Sequence, residues 1–113
     1  MHEPLFIQLG MGLDLRGMDT TTAAVRAVRN AIGHNLLPGI PALLQEGGRV
    51  IVHVRLAVPS GVAAVDIEAI REELPIGSVS VEIVTGGMLT PNGLAGLDEA
   101  LVVNAAVEIR IER

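Results

Sequence analysis

The sequence contains no cysteine, tryptophan or tyrosine, and Phe6 is its only phenylalanine. It also contains no lysine, because all 8 basic residues are arginines. These absences exclude a thiol nucleophile, a disulfide, a thiolate metal site and every reaction that depends on a lysine amine. They also remove the aromatic surfaces on which nucleic-acid bases stack. The chemistry available to the chain is therefore that of carboxylates, histidines, hydroxyls, amides and guanidinium groups.

The chain has 113 residues, with 13 acidic and 8 basic side chains and a formal net charge of −5. This length predicts a single domain over residues 1–113. The acidic balance predicts no nucleic-acid partner, and no apolar run approaches the ~20 residues that span a bilayer. The N-terminus lacks the basic region of a signal peptide, so we expect a cytoplasmic protein. No cofactor and no metal site are predicted, since the His and Asp spacings match no familiar ligand pattern.

Aliphatic residues are unusually abundant for so small a chain. The hydrophobic fraction is 50% and the mean hydropathy is +0.51, although a domain of this size has little interior relative to its surface. Some of these side chains must lie near the outside, and large exposed apolar patches usually mark an interface. The composition therefore predicts a homo-oligomer. The alternative is a monomer that uses many small Ala and Val residues.

Periodicity and turn residues predict six elements in the order β-α-β-α-β-β. The predicted strands are residues 5–9, 49–58, 79–83 and 101–111. The first helix has Asp19 and Thr20 as N-cap candidates and Gly33 as its stop, and the second helix has Asp66 as its N-cap candidate. Residues 86–93 are predicted as a loop. The expected class is α+β, a two-layer sandwich in which a four-stranded sheet carries both helices on one face.

The opposite face of this sheet is predicted to mix polar and apolar side chains. Its polar members would be Gln8, His53, Arg55, Ser80, Glu82, Asn104, Glu108 and Arg110, with Phe6, Ile51, Ala57, Val84, Val102 and Ala106 among them. Arg55 or Arg110 is expected to pair with Glu82 or Glu108. Such a mixture suits a face packed against sister subunits, and it also suits a solvated face with cross-strand ion pairs.

Residues 10–17 (GMGLDLRG) form a glycine-rich motif that is predicted to lie between the first strand and the first helix. Glycines there allow the backbone to come close to another group. The helix N-terminus and Arg16 suit a carboxylate or phosphate. In the other interpretation the segment is an ordinary glycine-rich turn, in which Asp14 or Asp19 accepts hydrogen bonds from nearby backbone N–H groups.

The motif and the segments around it resemble a known family. Agreement covers nearly the whole chain, at residues 6–12, 24–28, 34–35, 37–40, 56–59, 86–88 and 103–107. The sequence is similar to the small Lin-type proteins of bacteria and plants, a family of unknown function with a GxGxDxHG motif. The matching motif positions are Gly10, Gly12, Asp14 and Gly17. Arg16 stands where the family has His, which favours an electrostatic or hydrogen-bonding role there over a metal ligand or general base.

The predicted architecture also resembles the repeating unit of ring-opening cyclic amide hydrolases and the small trimeric YjgF and chorismate-mutase-like proteins. That similarity of fold implies threefold assembly, as a trimer or a multiple of one, with ligand clefts between subunits. The serine–lysine dyads of the hydrolases cannot be carried over, because this chain has no lysine.

Two functional hypotheses follow. In the first, the chain is a homo-oligomeric enzyme or binding protein with a site for a small anionic or amide ligand between subunits. Its ligand-binding residues would be Gly10, Gly12, Asp14, Arg16, Gly17 and Asn104, and its catalytic candidates are Asp14, Asp19 and His34. In the second, the chain is a non-catalytic oligomeric module whose polar residues only lock the fold and interface. Nucleophilic catalysis by Ser60, Ser78 or Ser80 is the weakest idea, since the sequence places no base beside any of them.

Overall fold

The computed structural model describes residues 4–33, 49–74, 77–91 and 99–112. Within these residues the chain is an α+β fold with a mixed sheet. Its elements are β1 (Pro4–Asp14), α1 (Thr20–Ile32), β2 (Arg49–Val58), α2 (Ile67–Glu72), β3 (Ser78–Thr85), β4 (Met88–Thr90) and β5 (Ala100–Glu112). None of the helices in this part of the chain is long and apolar enough to cross a membrane.

The strand order is β1-β5-β2-β3, with β4 paired to the beginning of β5. β5 is antiparallel to β1, β2 and β4, whereas β2 and β3 run parallel to each other. The expected four-stranded sheet is therefore wrong by one strand, because β4 lies in the segment predicted as a loop. Its 3 residues are too few to produce the alternating pattern by which a strand is recognised in a sequence.

β1 is longer than predicted, because it continues through Gly10 and Gly12 to Asp14. Gly10 lies opposite Ala105 and Gly12 lies opposite Val103 in the antiparallel ladder with β5. The first part of the glycine motif is thus a strand and not a loop. Glycine weakens a strand locally, but here the long neighbouring strand supplies hydrogen-bond partners along the whole segment.

The core lies between the sheet and the two helices. Its side chains come from one face of β2 and β5, from α1, and from the end of α2. The fully buried members include Ala23, Ala24, Ala27, Val28, Val52, Val54, Leu56, Ile70, Leu101, Val103, Val107 and Ile109. The helices begin as predicted, with the side chains of Asp19 and Asp66 accepting hydrogen bonds from Thr22 N and Glu68 N. Gly33 ends α1 with φ +59°.

α1 packs against β1 at the distance of backbone contact. A Cβ atom added to Gly10 would lie less than 3.0 Å from the Ala27 carbonyl oxygen and the Ala31 nitrogen. One added to Gly12 would lie equally close to the Ala23 carbonyl oxygen and the Ala27 nitrogen. The three alanines follow one another at i, i+4 and i+8, so they form one ridge of the helix. Small residues on both elements therefore allow the helix to lie directly on the strand.

This close approach determines which face of the sheet each β1 side chain occupies. Gln8 shares the helix-facing side with Gly10 and Gly12, and the predicted position of Gln8 on the other face is wrong. Ile7, Leu9 and Met11 point to the face away from the helices, with exposed fractions of 53%, 75% and 55%. The prediction failed because the glycines give no hydrophobic signal on the buried side. The Phe6 side chain lies outside the described residues.

The face away from the helices, called the open face below, is not covered by any element in the described ranges. Strand register divides it into two halves. The apolar half, on β1 and the adjoining side of β5, consists of Ile7, Leu9, Met11, Leu13, Val102 and Ala106, with the polar Asn104 between the last two. The polar half, towards β3, consists of His53, Arg55, Ser80, Glu82, Glu108 and Arg110. The sequence predicted the mixture on this face but not its division into halves.

We expect Gly12→Ala to destabilise the fold strongly, because the new methyl group meets helix backbone that cannot rotate away. Overpacking of this kind costs about 1–3 kcal/mol or more. Urea unfolding followed by circular dichroism measures the loss. Gly61→Ala is the matched control, since a Cβ there meets nothing within 4 Å and the cost is only that of its positive φ of +82°. Equal midpoints for Gly12→Ala and the wild type would contradict the close packing.

Candidate functional site

Asp14 ends β1 and organises the loop that leads to α1. Its Oδ2 accepts a hydrogen bond from Asp19 N at 2.8 Å, and its Oδ1 accepts one from Arg16 N at 3.4 Å. The Arg26 guanidinium lies 3.9 Å from the same carboxylate. With a side chain only 13% exposed, Asp14 is held by the backbone of its own loop. Both of its oxygens are engaged in closing the turn between strand and helix.

Asp19 is the N-cap of α1. Its Oδ1 accepts a hydrogen bond from Thr22 N at 3.1 Å, and this bond holds the pKa of the Asp19 carboxyl below its usual value. The N-terminus of α1 therefore already has a carboxylate at the place where an external anion would bind. Asp14 accepts from the Asp19 N–H, so the aspartate of the motif and the N-cap aspartate belong to one hydrogen-bonded turn.

Arg16 and Gly17 lie on the exposed side of this turn. Gly17 has φ +82° and is followed by Met18 at φ +53°, so two successive residues adopt left-handed backbone. Arg16 is exposed and its backbone N–H is directed at Asp14. Another arginine acts on the same turn, because Arg26 Nη1 donates to the Leu13 carbonyl oxygen at 2.8 Å. The exposed guanidinium of Arg16 is thus presented beside a rigid loop.

A groove of about 460 Å³ lies at the edge of β1, between the open face and α1. It is lined by Leu9, Gly10, Met11, Asn30, Asn104 and Ala105. Asn30 reaches the strand from the helix, and its Oδ1 accepts a hydrogen bond from Met11 N at 2.9 Å. The groove brings together Gly10 and Asn104, two of the predicted ligand-binding residues. Gly12, Asp14, Arg16 and Gly17 do not line it, and His34 lies outside the described residues.

The polar half of the open face is a second cluster, which sequence reasoning did not assemble. His53 Nδ1 lies 2.7 Å from Ser80 Oγ, and His53 Nε2 lies 3.0 Å from Glu82 Oε1. Arg55 Nε donates to the same glutamate oxygen at 3.0 Å. The hydrogen bonds from His53 first, and then from Arg55, hold the pKa of the Glu82 carboxyl below its usual value. Glu82 is therefore a carboxylate at neutral pH.

This cluster continues onto β5. Arg110 Nη2 donates to Glu108 Oε2 at 3.0 Å, and a groove of about 310 Å³ is lined by Ile51, His53, Arg55, Ser80, Glu108 and Arg110. The predicted pairing of arginines and glutamates on this face is confirmed, as Arg55 with Glu82 and Arg110 with Glu108. The sequence signal that locates the cluster is the run of polar residues on alternate positions of β2, β3 and β5.

A model of the Lin0512 family of conserved hypothetical proteins matches residues 4–109. This chain belongs to the Lin0512 family. The family identified from the sequence is thereby confirmed. No curated protein matches the chain.

A solved structure is also similar to this chain. The crystal structure of an FtsZ-like protein of unknown function from Nostoc punctiforme, at 1.22 Å resolution, is 34% identical in sequence. The match covers 99% of this chain and 98% of that chain, with a TM-score of 0.74. The Lin0512 chain is therefore similar to this protein along almost its whole length.

We expect Asp19→Ala to lower the stability of the protein at neutral pH, because Thr22 N loses its partner. The native pKa of Asp19 is depressed, so its stabilisation is present above the unfolded pKa and is lost as the pH falls through the native pKa. Asp19→Ser is the control, since serine caps a helix without this titration. Thermal unfolding at several pH values between about 7 and about 3 should show a weaker acid dependence for both variants, with Asp19→Ser the more stable of the two. If the melting temperature of Asp19→Ala fell with pH as steeply as that of the wild type, Asp19 would not contribute to the acid dependence of stability.

Proposed function

We propose that this Lin0512 chain is the subunit of a homo-oligomer that binds a small anionic or amide ligand next to the motif, at the boundary between subunits. The observation that carries the proposal is the exposure of Ile7, Leu9 and Met11 on the open face, at 53%, 75% and 55%. Neighbouring aliphatic side chains exposed in this way are characteristic of an interaction surface. A second copy of the chain is the partner that we propose for them, in a trimer or a multiple of one.

Side chains cover the free edge of β1, and this favours assembly through the open face over assembly by strand pairing. The Met11 N–H is bonded to the Asn30 side chain, and the Leu13 carbonyl oxygen is bonded to Arg26. Side chains of α1 thereby cover backbone groups of the edge strand, which is a common protection against pairing with another chain. The apolar half of the open face receives no such cover.

The groove at the β1 edge supports the ligand part of the proposal. It borders the apolar half through Leu9 and Met11, so a second subunit packed there would narrow it. The Asn30 and Asn104 carboxamides offer donors and acceptors that suit a carboxylate or another amide. The exposed Arg16 of the motif does not line this groove, but its guanidinium has a charge suited to an anion. Catalysis by Asp14, Asp19 or His34 stays a prediction.

The second candidate is a non-catalytic oligomeric module, and the bonding of Asp14 favours it. A carboxylate whose two oxygens accept from the Arg16 and Asp19 backbone already has the role of holding the turn together. Both candidates share the same assembly. They differ in whether a ligand binds near the motif, and this difference is open to direct measurement.

For the assembly we expect Leu9→Arg to dissociate the oligomer, because a charge would be placed in the middle of the apolar half. Light scattering coupled to size-exclusion chromatography gives the mass of each species. Ile83→Arg is the matched control: Ile83 is also an exposed aliphatic residue, 46% accessible, but it is on the other face of the sheet. A monomeric wild-type protein, or an oligomer that tolerates Leu9→Arg and not Ile83→Arg, would contradict the proposed interface.

For the ligand we expect some small carboxylates or amides to raise the melting temperature of the wild-type oligomer, since ligands that bind the folded state stabilise it. Asn104→Ala should abolish that rise and leave the mass of the oligomer unchanged. Ser78→Ala, also on the open face but outside the groove, should retain it. If no compound of either class stabilises an intact oligomer, the non-catalytic module is the correct function.

A further inference from the structure

The parallel register of β2 and β3 creates a hydrogen-bonded chain of three side chains. His53 lies opposite Ser80, and Arg55 lies opposite Glu82. His53 is thereby placed between a hydroxyl and a carboxylate, at 2.7 Å and 3.0 Å. A nucleophile and a base at hydrogen-bond distance, with the base oriented by a third group, is the arrangement that activates serine.

The charge of Glu82 fixes the direction of these hydrogen bonds. As a carboxylate, Glu82 can only accept, so His53 donates from Nε2. In the neutral imidazole the other nitrogen, Nδ1, is then an acceptor, and Ser80 must donate its hydroxyl proton to it. Ser80 Oγ consequently has a base aligned to remove its proton. The carboxylate on the far side of the ring stabilises the imidazolium that would result.

The surroundings leave room for a small substrate. The groove of about 310 Å³ over this cluster contains His53 and Ser80, with Ile51 as an apolar wall, Arg55 and Arg110 as cations and Glu108 as a carboxylate. This volume is at the lower end of the range of small-molecule sites. Neighbouring strands lie about 4.8 Å apart, so β3 is roughly three strand spacings from the apolar half on β1. Ser80 is exposed, and β3 is the edge of the sheet opposite to β1.

We propose that Ser80 is an acyl-accepting nucleophile, with His53 as its general base and Glu82 as a positioning residue, and that it acts on small carboxylic esters. Ser80 Oγ bonds to the ester carbonyl carbon, and its proton passes to His53 Nδ1. The bond to the leaving alkoxide then breaks, and the alkoxide takes the proton from His53. Water attacks the acyl-serine in the same way, giving its proton to His53, and the carboxylic acid is released with Ser80 restored. This activity is independent of the ligand site proposed at the β1 edge.

The composition of the chain makes a clean test possible. p-Nitrophenyl acetate also acylates thiols and lysine amines, and the sequence contains neither cysteine nor lysine. We expect the wild-type protein to release p-nitrophenolate and to carry an acetyl group that peptide mass spectrometry places on Ser80. Ser80→Ala should lose the acetyl group at this position and should release p-nitrophenolate only at the slow background rate of the 3 histidines and the N-terminal amine. Ser78→Ala, two residues along the same strand and face, should retain both.

Variants of the other two residues test their roles. His53→Gln should lower the acylation rate about 100-fold or more, the typical contribution of a general base. Glu82→Gln should lower the acylation rate, because an amide stabilises the imidazolium less than a carboxylate does, and Glu82→Asp, which keeps the negative charge, should lower it less. The other charged groups that face His53 or its groove are Glu108, Arg55 and Arg110. None of them is substituted in the His53 and Glu82 variants.

Two results would overturn the proposal. One is acylation of Ser80→Ala at the wild-type rate, and the other is a label on a residue other than Ser80. Light scattering on each variant shows whether the oligomer is intact, so a failure of assembly is distinguished from a loss of nucleophile. Circular dichroism shows that each variant is folded.

Discussion

The contact between α1 and β1 is the constraint on which the rest of the structure depends. At Gly10 and Gly12 the helix backbone occupies the space of a side chain, and the ridge of Ala23, Ala27 and Ala31 lets it do so. Contact at this distance places many backbone atoms in van der Waals contact without any large side chain between the two elements. The glycines of the motif are therefore explained by packing. The conformation that requires glycine occurs later, at Gly17.

The same constraint links the motif to the open face. With glycine on the inner side of β1, the aliphatic residues that make it a strand must lie on the outer side. Leu9 and Met11 are exposed for this reason, and so the high hydropathy of the chain has a structural origin. Asp14 then ends the strand and fixes the start of the helix through the Asp19 backbone. Packing, turn and exposed apolar surface are thus consequences of one short segment.

Much of the fold could be predicted from the sequence because local signals were strong. The alternation in β2, the caps at Asp19 and Asp66 and the stop at Gly33 all depend on neighbours in the chain. The side of the sheet that Gln8 occupies could not be predicted, since its strand has glycine where the hydrophobic pattern should be. β4 was missed because it is too short to have a pattern. The family was recognisable from many short agreements, although its motif gave no indication that Gly10 and Gly12 touch a helix.

For the polar half of the open face, the sequence predicts which face each residue occupies but not which residues are in contact. His53, Ser80 and Glu82 were each placed correctly on the open face, yet nothing in their spacing shows that they are neighbours. Their contact depends on β3 lying beside β2 in parallel, with His53 opposite Ser80. A shift of that register by two residues would keep every side chain on its face and would separate the histidine from its serine. Local sequence determines which residues a strand presents, whereas the chemistry of the polar half is determined by the pairing of strands that are distant in the chain.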